Sequence, residues 1–202
     1  ALIINAEFNK SIFEKSFTLT RKSQIPYTFP SFTMGEAATA TLVLPDEPDN
    51  FKFSFSSKPE LSNLCTTAIY EDYREFCKID DKIATNGLLT ITSYGKELHK
   101  NAEFQTVTLL KKFQKIHDIS IHDIDNFFVH ASSKKEWDKY ARRIGIQEKI
   151  YHIYPKTGNL VSASFPTALY MAKQSKKLCK GNKVFLWGGS AGMSFGATVF
   201  SL

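Results

Sequence analysis

Three stretches of this chain place polar or glycine-rich residues where chemistry could occur. His130 directly follows the apolar run Asp125-Asn-Phe-Phe-Val129. Asn159 holds the equivalent place after the next apolar run, within Lys156-Thr-Gly-Asn-Leu-Val-Ser-Ala-Ser-Phe-Pro166. The third stretch is Gly188-Gly-Ser-Ala-Gly-Met-Ser-Phe-Gly196. In an open α/β sheet, ligand chemistry collects at the carboxyl ends of strands. An imidazole and a carboxamide there can donate two hydrogen bonds to one carbonyl oxygen and stabilise negative charge developing on it. Two structural readings stand beside this one. A histidine at a strand end also serves plain packing, and a glycine-rich link also serves a tight hairpin that needs positive φ. No cysteine, serine or lysine sits in a convincing nucleophile setting, so the residues compose half of an active site.

The elements that must position these residues can be read from periodicity. Residues 1–8 predict a strand, and 9–33, with Pro26 and Pro30, an irregular excursion. Residues 35–44 predict a strand of small residues packed closely on another layer. Pro45-Asp-Glu-Pro48 ends it, because proline cannot continue a ladder, and marks a boundary between halves 1–48 and 49–202. Phe51-Lys-Phe-Ser-Phe55 alternates as a strand does. Residues 56–85 carry no clear pattern, and Asn86-Gly87 marks a turn. A helix is expected over about 95–117, with Val107, Leu110 and Phe113 at helical spacing. Strand 125–129 follows, then a helix over 132–144 whose inner face is Trp137, Tyr140, Ala141 and Ile144. Strand 150–153, the Gly158-Asn159 loop and a helix from about 165 to 178 come next. Pro166 suits a first turn, where its missing N–H is not needed. Strand 183–187, a glycine-rich hairpin and strand 195–201 close the chain. Helical crossovers imply parallel strands and the short final link an antiparallel pair.

Composition sets the class. The chain has 202 residues, 43% hydrophobic and 13% aromatic, which suits one sizeable packed domain rather than disorder. No run of about eighteen apolar residues exists to span a membrane. The opening Ala1-Leu-Ile-Ile-Asn5 has neither the basic region nor the cleavage site of a signal peptide. It lacks an initiator Met and starts on a core-like strand, so a piece cut from something longer is expected. Cys65, Cys77 and Cys179 are scattered and lack nearby histidines, which suits structural thiols in a reducing cytoplasm and no metal site. The net charge of +6 comes partly from lysine-rich helix faces. It can attract an acidic partner or serve solubility. The aromatics do not interleave with basic residues, so nucleic acid is not expected as a partner.

The motifs Phe128-Val-His-Ala-Ser-Ser133, Thr157-Gly-Asn-Leu-Val-Ser-Ala-Ser-Phe-Pro166 and the terminal glycine-rich loop occur in an order that resembles the C-terminal portion of the thiolase-fold condensing enzymes. The likeness is closest to β-ketoacyl-acyl carrier protein synthase III. Residues 1–8 and 35–44 resemble the last two strands of that family's N-terminal half, while 56–95 matches poorly. The resemblance implies an α/β thiolase-like fold with a mixed five-stranded sheet. It also implies a Cys–His–Asn triad in which His130 and Asn159 hold a malonyl thioester carbonyl during decarboxylation. The Ala191 backbone N–H would serve the oxyanion of the acyl-enzyme step. The family's cysteine lies upstream of the strand that matches residues 1–8, so none of the three cysteines here is its counterpart. The usual His-Gln-Ala-Asn run is His130-Ala-Ser-Ser133, and a proline expected before the histidine is Val129. Lys135 falls where the family carries an arginine contacting carrier protein or coenzyme A phosphates, and Lys134, Lys139, Arg142 and Arg143 add charge around it.

The expectation is an acyltransferase of fatty acid or polyketide-type biosynthesis, inactive as this chain alone. Its nucleophile would come from a cysteine-bearing N-terminal part or second chain, in a dimer or heteromer. Acyl carrier protein or coenzyme A thioesters would be the substrates, with no cofactor or metal. Alternatives are a non-catalytic partner subunit, acyl transfer to an oxygen or nitrogen nucleophile, and an unrelated α/β binding domain.

Overall fold

Apolar alternation along the central strands decides the layering. In a computed structural model that describes residues 1–10, 14, 21–47, 50–67 and 91–202, Phe127, Val129, Phe185 and Trp187 enter one buried cluster. Phe128 and Val184 enter a second on the opposite side. Successive side chains on a strand point to opposite faces, so both faces of this sheet must be covered. Two helices cover the first face: α1 (Gly95–His117), through Leu109, Leu110 and Phe113, and α2 (Lys134–Ile144), through Trp137, Tyr140 and Ala141. The second face is covered by α3 (Ser164–Gln174), through Ala168 and Ala172.

The sheet has five strands. Its members are β3 (Lys52–Ser57), β6 (Asn126–Val129), β7 (Ile150–Tyr151), β8 (Lys183–Ser190) and β9 (Ser194–Ser201), in the order β3-β9-β8-β6-β7. β6 runs parallel to both β7 and β8, while β9 is antiparallel to β8 and β3. The expected parallel crossovers and antiparallel hairpin are both present. A separate antiparallel ribbon pairs β1 (Leu2–Glu7) with β2 (Ala37–Leu42), Glu7 lying opposite Ala37. A third small sheet joins β4 (Cys65–Thr67) and β5 (Ile91–Ser93).

Sequence expectations hold closely in the C-terminal part and loosely elsewhere. The long helix covers 95–117 as its spacing predicts. α3 stops at Gln174, earlier than the apolar pattern suggests, because Lys176 adopts a left-handed φ of +56° that no helix continues. The 9–33 excursion is, over Lys22–Thr33, a series of 3-10 and single α turns. β2 packs only half as expected: Ala37, Thr39 and Thr41 are half-buried, while Ala38, Ala40 and Leu42 are exposed. Cys77, Pro48 and the Asn86-Gly87 turn lie outside the described residues.

Just ahead of β2 the chain is clasped to the second half. Met34 and Asn159 form an isolated parallel bridge, in which the Asn159 N–H donates to the Thr33 carbonyl at 2.7 Å and the Gly35 N–H to the Asn159 carbonyl at 2.9 Å. Two glycines make room for it. A Cβ on Gly35 would lie 2.0 Å from the Thr157 carbonyl oxygen, and one on Gly158 would lie 2.6 Å from that of Thr33. Gly158 also holds φ +68° and ψ −165°, a region essentially closed to other residues. We predict that Gly35→Ala costs about 2–4 kcal/mol of stability in urea unfolding, through backbone overpacking. Gly95→Ala, whose added Cβ meets nothing within 4 Å, costs none. Equal stability of the two variants would show that the clasp tolerates a side chain.

Candidate active site

His130 is held by its backbone on three sides. Its N–H donates to the Trp187 carbonyl at 3.3 Å, extending the β6–β8 ladder by one residue. Its carbonyl accepts from the Ser132 N–H at 2.8 Å and from the Trp137 indole N–H at 2.8 Å. Ser133 caps α2, its hydroxyl accepting from the Glu136 N–H at 3.4 Å. This gives a physical reason for serine at the last position of His130-Ala-Ser-Ser133, since serine and asparagine are both strong N-caps.

The His130 side chain, unlike the backbone, has no hydrogen-bond partner among the described residues and is only partly exposed. The absent side chain of Gly188 leaves its space: a Cβ there would lie 3.3 Å from the His130 Cβ and 2.7 Å from the ring of Phe165 at the start of α3. Burial of the imidazole pushes its pKa down from 6.5 to about 4. At neutral pH the ring is therefore uncharged, with one N–H to donate.

Asn159 is held by side chain as well as backbone. Its Oδ1 accepts the Val161 N–H at 2.9 Å, an Asx turn that fixes the carboxamide. The Nδ2 group has no partner among the described residues, so the fixed amide presents a donor. Val161 has a φ of +48°, a left-handed conformation that costs a β-branched residue about 1–3 kcal/mol. The next residue is tied down. The Ser162 N–H donates to Glu7 Oε1 at 3.1 Å, and the Ser162 hydroxyl donates to the same oxygen. These contacts with Glu7, Thr33 and Gly35 escape sequence reasoning, because they join residues remote in the chain. The Asx turn within Asn159-Leu-Val161 is the one local signal available.

The parallel strands bring the candidates to one edge. His130 leaves β6, the Asn159 loop follows β7 after a single helical turn at Tyr154–Thr157, and Ala191 follows β8. The Ala191 N–H has no hydrogen-bond partner among the described residues. Lys134 and Lys135 begin α2 at this same edge, while Arg142 lies farther along it. Lys135 and Arg142, seven residues apart, share one helix stripe about 10 Å in length. Ion pairs trim the expected positive bias. Lys134 pairs with Asp138, Lys139 with Glu103 at 2.8 Å, and Arg143 with Glu103. Lys135 and Arg142 have no ion pair among the described residues.

Neither described cysteine joins this edge. Cys65 lies on β4, where burial pushes its thiol up, the reverse of an activated nucleophile. Cys179 follows the far end of α3, with its thiol against the Lys176 carbonyl at 3.6 Å. Among the described residues no cluster of His, Cys, Asp and Glu has metal-binding geometry, and no helix is long and apolar enough to cross a membrane.

Two solved structures share this architecture across the chain. A variant of Xanthomonas campestris OleA with bound lauric acid and lauroyl-CoA superposes with a TM-score of 0.80 at 18% identity, covering 100% of this chain and 58% of that one. The 3-oxoacyl-(acyl carrier protein) synthase III of Xanthomonas oryzae gives 0.72 at 20% identity, covering 100% and 57%. The fold is thus thiolase-like, a mixed five-stranded sheet between helices. Sequence comparison narrows the class. Residues 115–202 match the family described as 3-oxoacyl-(acyl-carrier-protein) synthase III C terminal. The β-ketoacyl-(acyl-carrier-protein) synthase III of Pyropia yezoensis is 34% identical over 111 residues, 54% of this chain and 34% of that protein. The Synechocystis synthase III is 24% identical over 166 residues, 82% and 50%. The chain therefore spans about a third to a half of the length of these curated relatives.

The neutral histidine has a titration signature. Between pH 6.5 and about 4 the unfolded chain binds a proton that the folded His130 does not. Its contribution to stability is full above pH 6.5 and is lost as pH falls through that window. NMR of the His130 ring is expected to give a midpoint near 4, and a midpoint near 6.5 would show a solvated imidazole instead.

Proposed function

We propose that this chain is the C-terminal part of an acyltransferase of the β-ketoacyl-acyl carrier protein synthase III type, which condenses an acyl thioester with a malonyl thioester in fatty acid or polyketide-type synthesis. The observation that carries this reading is a pair of neutral donors at one sheet edge: an uncharged His130, and an Asn159 whose Oδ1 is occupied and whose Nδ2 has no partner among the described residues. Residues 1–48 would close one half of the fold and 49–202 form the other. The separation of the β1–β2 ribbon from the five-stranded sheet supports that division.

The chemistry follows from these donors. The malonyl thioester carbonyl oxygen accepts from the His130 ring N–H and from Asn159 Nδ2. As the bond to the carboxylate breaks and carbon dioxide leaves, the electron pair moves into an enolate whose oxygen these donors stabilise. The enolate carbon attacks the carbonyl of an acyl group carried on a cysteine. A carbon–carbon bond forms, the carbon–sulfur bond breaks, and the thiolate departs. The Ala191 N–H faces the oxyanion formed on the acyl carbonyl. Cys65 and Cys179 are misplaced for the nucleophile, and Cys77 lies outside the described residues. The family resemblance matches none of the three to the nucleophile, so the reading assigns that role to a cysteine-bearing N-terminal part or second chain. Lys135 and Arg142, with Lys134 beside them, form the stripe for an acidic carrier protein or coenzyme A phosphates.

In the assembly that contains the cysteine, His130→Ala and Asn159→Ala are each expected to lower carbon dioxide release from malonyl thioester by about 100-fold or more. Acyl loading on the cysteine, followed by intact-mass analysis, should persist. Normal decarboxylation in either variant would remove that residue from the mechanism. Turnover of acyl-coenzyme A without malonyl decarboxylation in the unmutated assembly would assign transfer to another nucleophile.

A further inference from the structure

We propose that Glu7 is a positioning residue for Asn159, acting through Ser162 and Val161. The inference rests on the reading of Asn159 as a donor to the malonyl carbonyl. That role needs Nδ2, not Oδ1, to face the substrate. A half-turn of the carboxamide would present lone pairs to the developing enolate oxygen and repel it. What prevents the half-turn is the Val161 N–H, which engages Oδ1 at 2.9 Å. That N–H is aimed by a residue in a left-handed conformation it does not favour, with φ +48°. Such a loop relaxes unless it is restrained on both flanks.

One restraint comes from the segment just ahead of β2 and the other from the end of β1. On the near flank, the backbone of Asn159 is strapped between Thr33 and Gly35. On the far flank, Glu7 Oε1 accepts the Ser162 N–H at 3.1 Å and the Ser162 hydroxyl as well. Glu7 closes β1 opposite Ala37, so the carboxylate is carried on the same ribbon end as the strap. Among the described residues it has no ion pair, and its side-chain hydrogen bonds are those to Ser162. The geometry is that of a two-point jig around one strained residue.

The test uses the cysteine-bearing assembly and three variants. Glu7→Leu removes the acceptor, Glu7→Gln keeps an acceptor oxygen without charge, and Ser162→Ala removes the hydroxyl bond alone. Glu7→Leu is expected to lower kcat for malonyl decarboxylation about 10- to 100-fold, with KM and cysteine acylation within about two-fold. Glu7→Gln is expected to restore the rate, and Ser162→Ala to fall between. The Asn159 Nδ2 resonances should move in Glu7→Leu and stay in Glu7→Gln. If Glu7→Leu does not fold, Ser162→Ala decides: an intermediate kcat supports the proposal and an unchanged one overturns it. Should Asn159→Ala abolish decarboxylation while Glu7→Leu keeps full rate and an unmoved amide, the role of Glu7 falls alone. Should Asn159→Ala itself be fully active, the donor reading fails and the positioning role goes with it.

Discussion

The approach of two side-chain-free positions, Gly35 against Thr157 and Gly158 against Thr33, is the constraint on which the candidate site depends. It lets two backbones meet closely enough to form the Met34–Asn159 bridge, and that bridge sets where Asn159 sits. Everything polar about Asn159 is then decided by satisfaction. Its N–H and carbonyl are consumed by the clasp and its Oδ1 by Val161, while Nδ2 has no partner among the described residues.

His130 reaches the same condition by a different route. Its backbone is pinned by Trp187, Ser132 and Trp137, while burial favours the uncharged form of its ring. On the function proposed above, a charged imidazolium would interact strongly with the carboxylate of a malonyl group and so favour the ground state. A neutral N–H favours the oxygen on which charge appears only as the bond breaks, and differential stabilisation of that kind is what accelerates a step.

Much of the C-terminal part was legible in the sequence, because its elements are local and strongly periodic. The 3.6-residue spacing of α1 and the inner face of α2 needed no tertiary information, and the alternation of helix and strand gave strand direction. The edge shared by His130, Asn159 and Ala191 followed from that direction. Two things were hidden. The neutralisation of Lys134, Lys139 and Arg143 depends on Asp138 and Glu103, and Glu103 lies on a different helix. The restraints on the Asn159 loop come from Glu7, Thr33 and Gly35, and Ser162 lies 155 positions from Glu7. Spacing rules describe one element at a time, so contacts of that range leave no periodic trace.

That separation has a kinetic consequence. The β6–α2–β7 and α3–β8–β9 units close over short loops, whereas the clasp closes over most of the chain and must first meet a larger entropic cost. A two-stranded ribbon is marginal by itself, so β1–β2 gains its order from docking. The physical expectation is that the sheet forms early and the Asn159 loop is locked last. Trp137 and Trp187 both lie in the cluster on the α1–α2 face, so their fluorescence reports the early event. A chain can thus regain its full tryptophan signal on refolding while its carboxamide still turns freely.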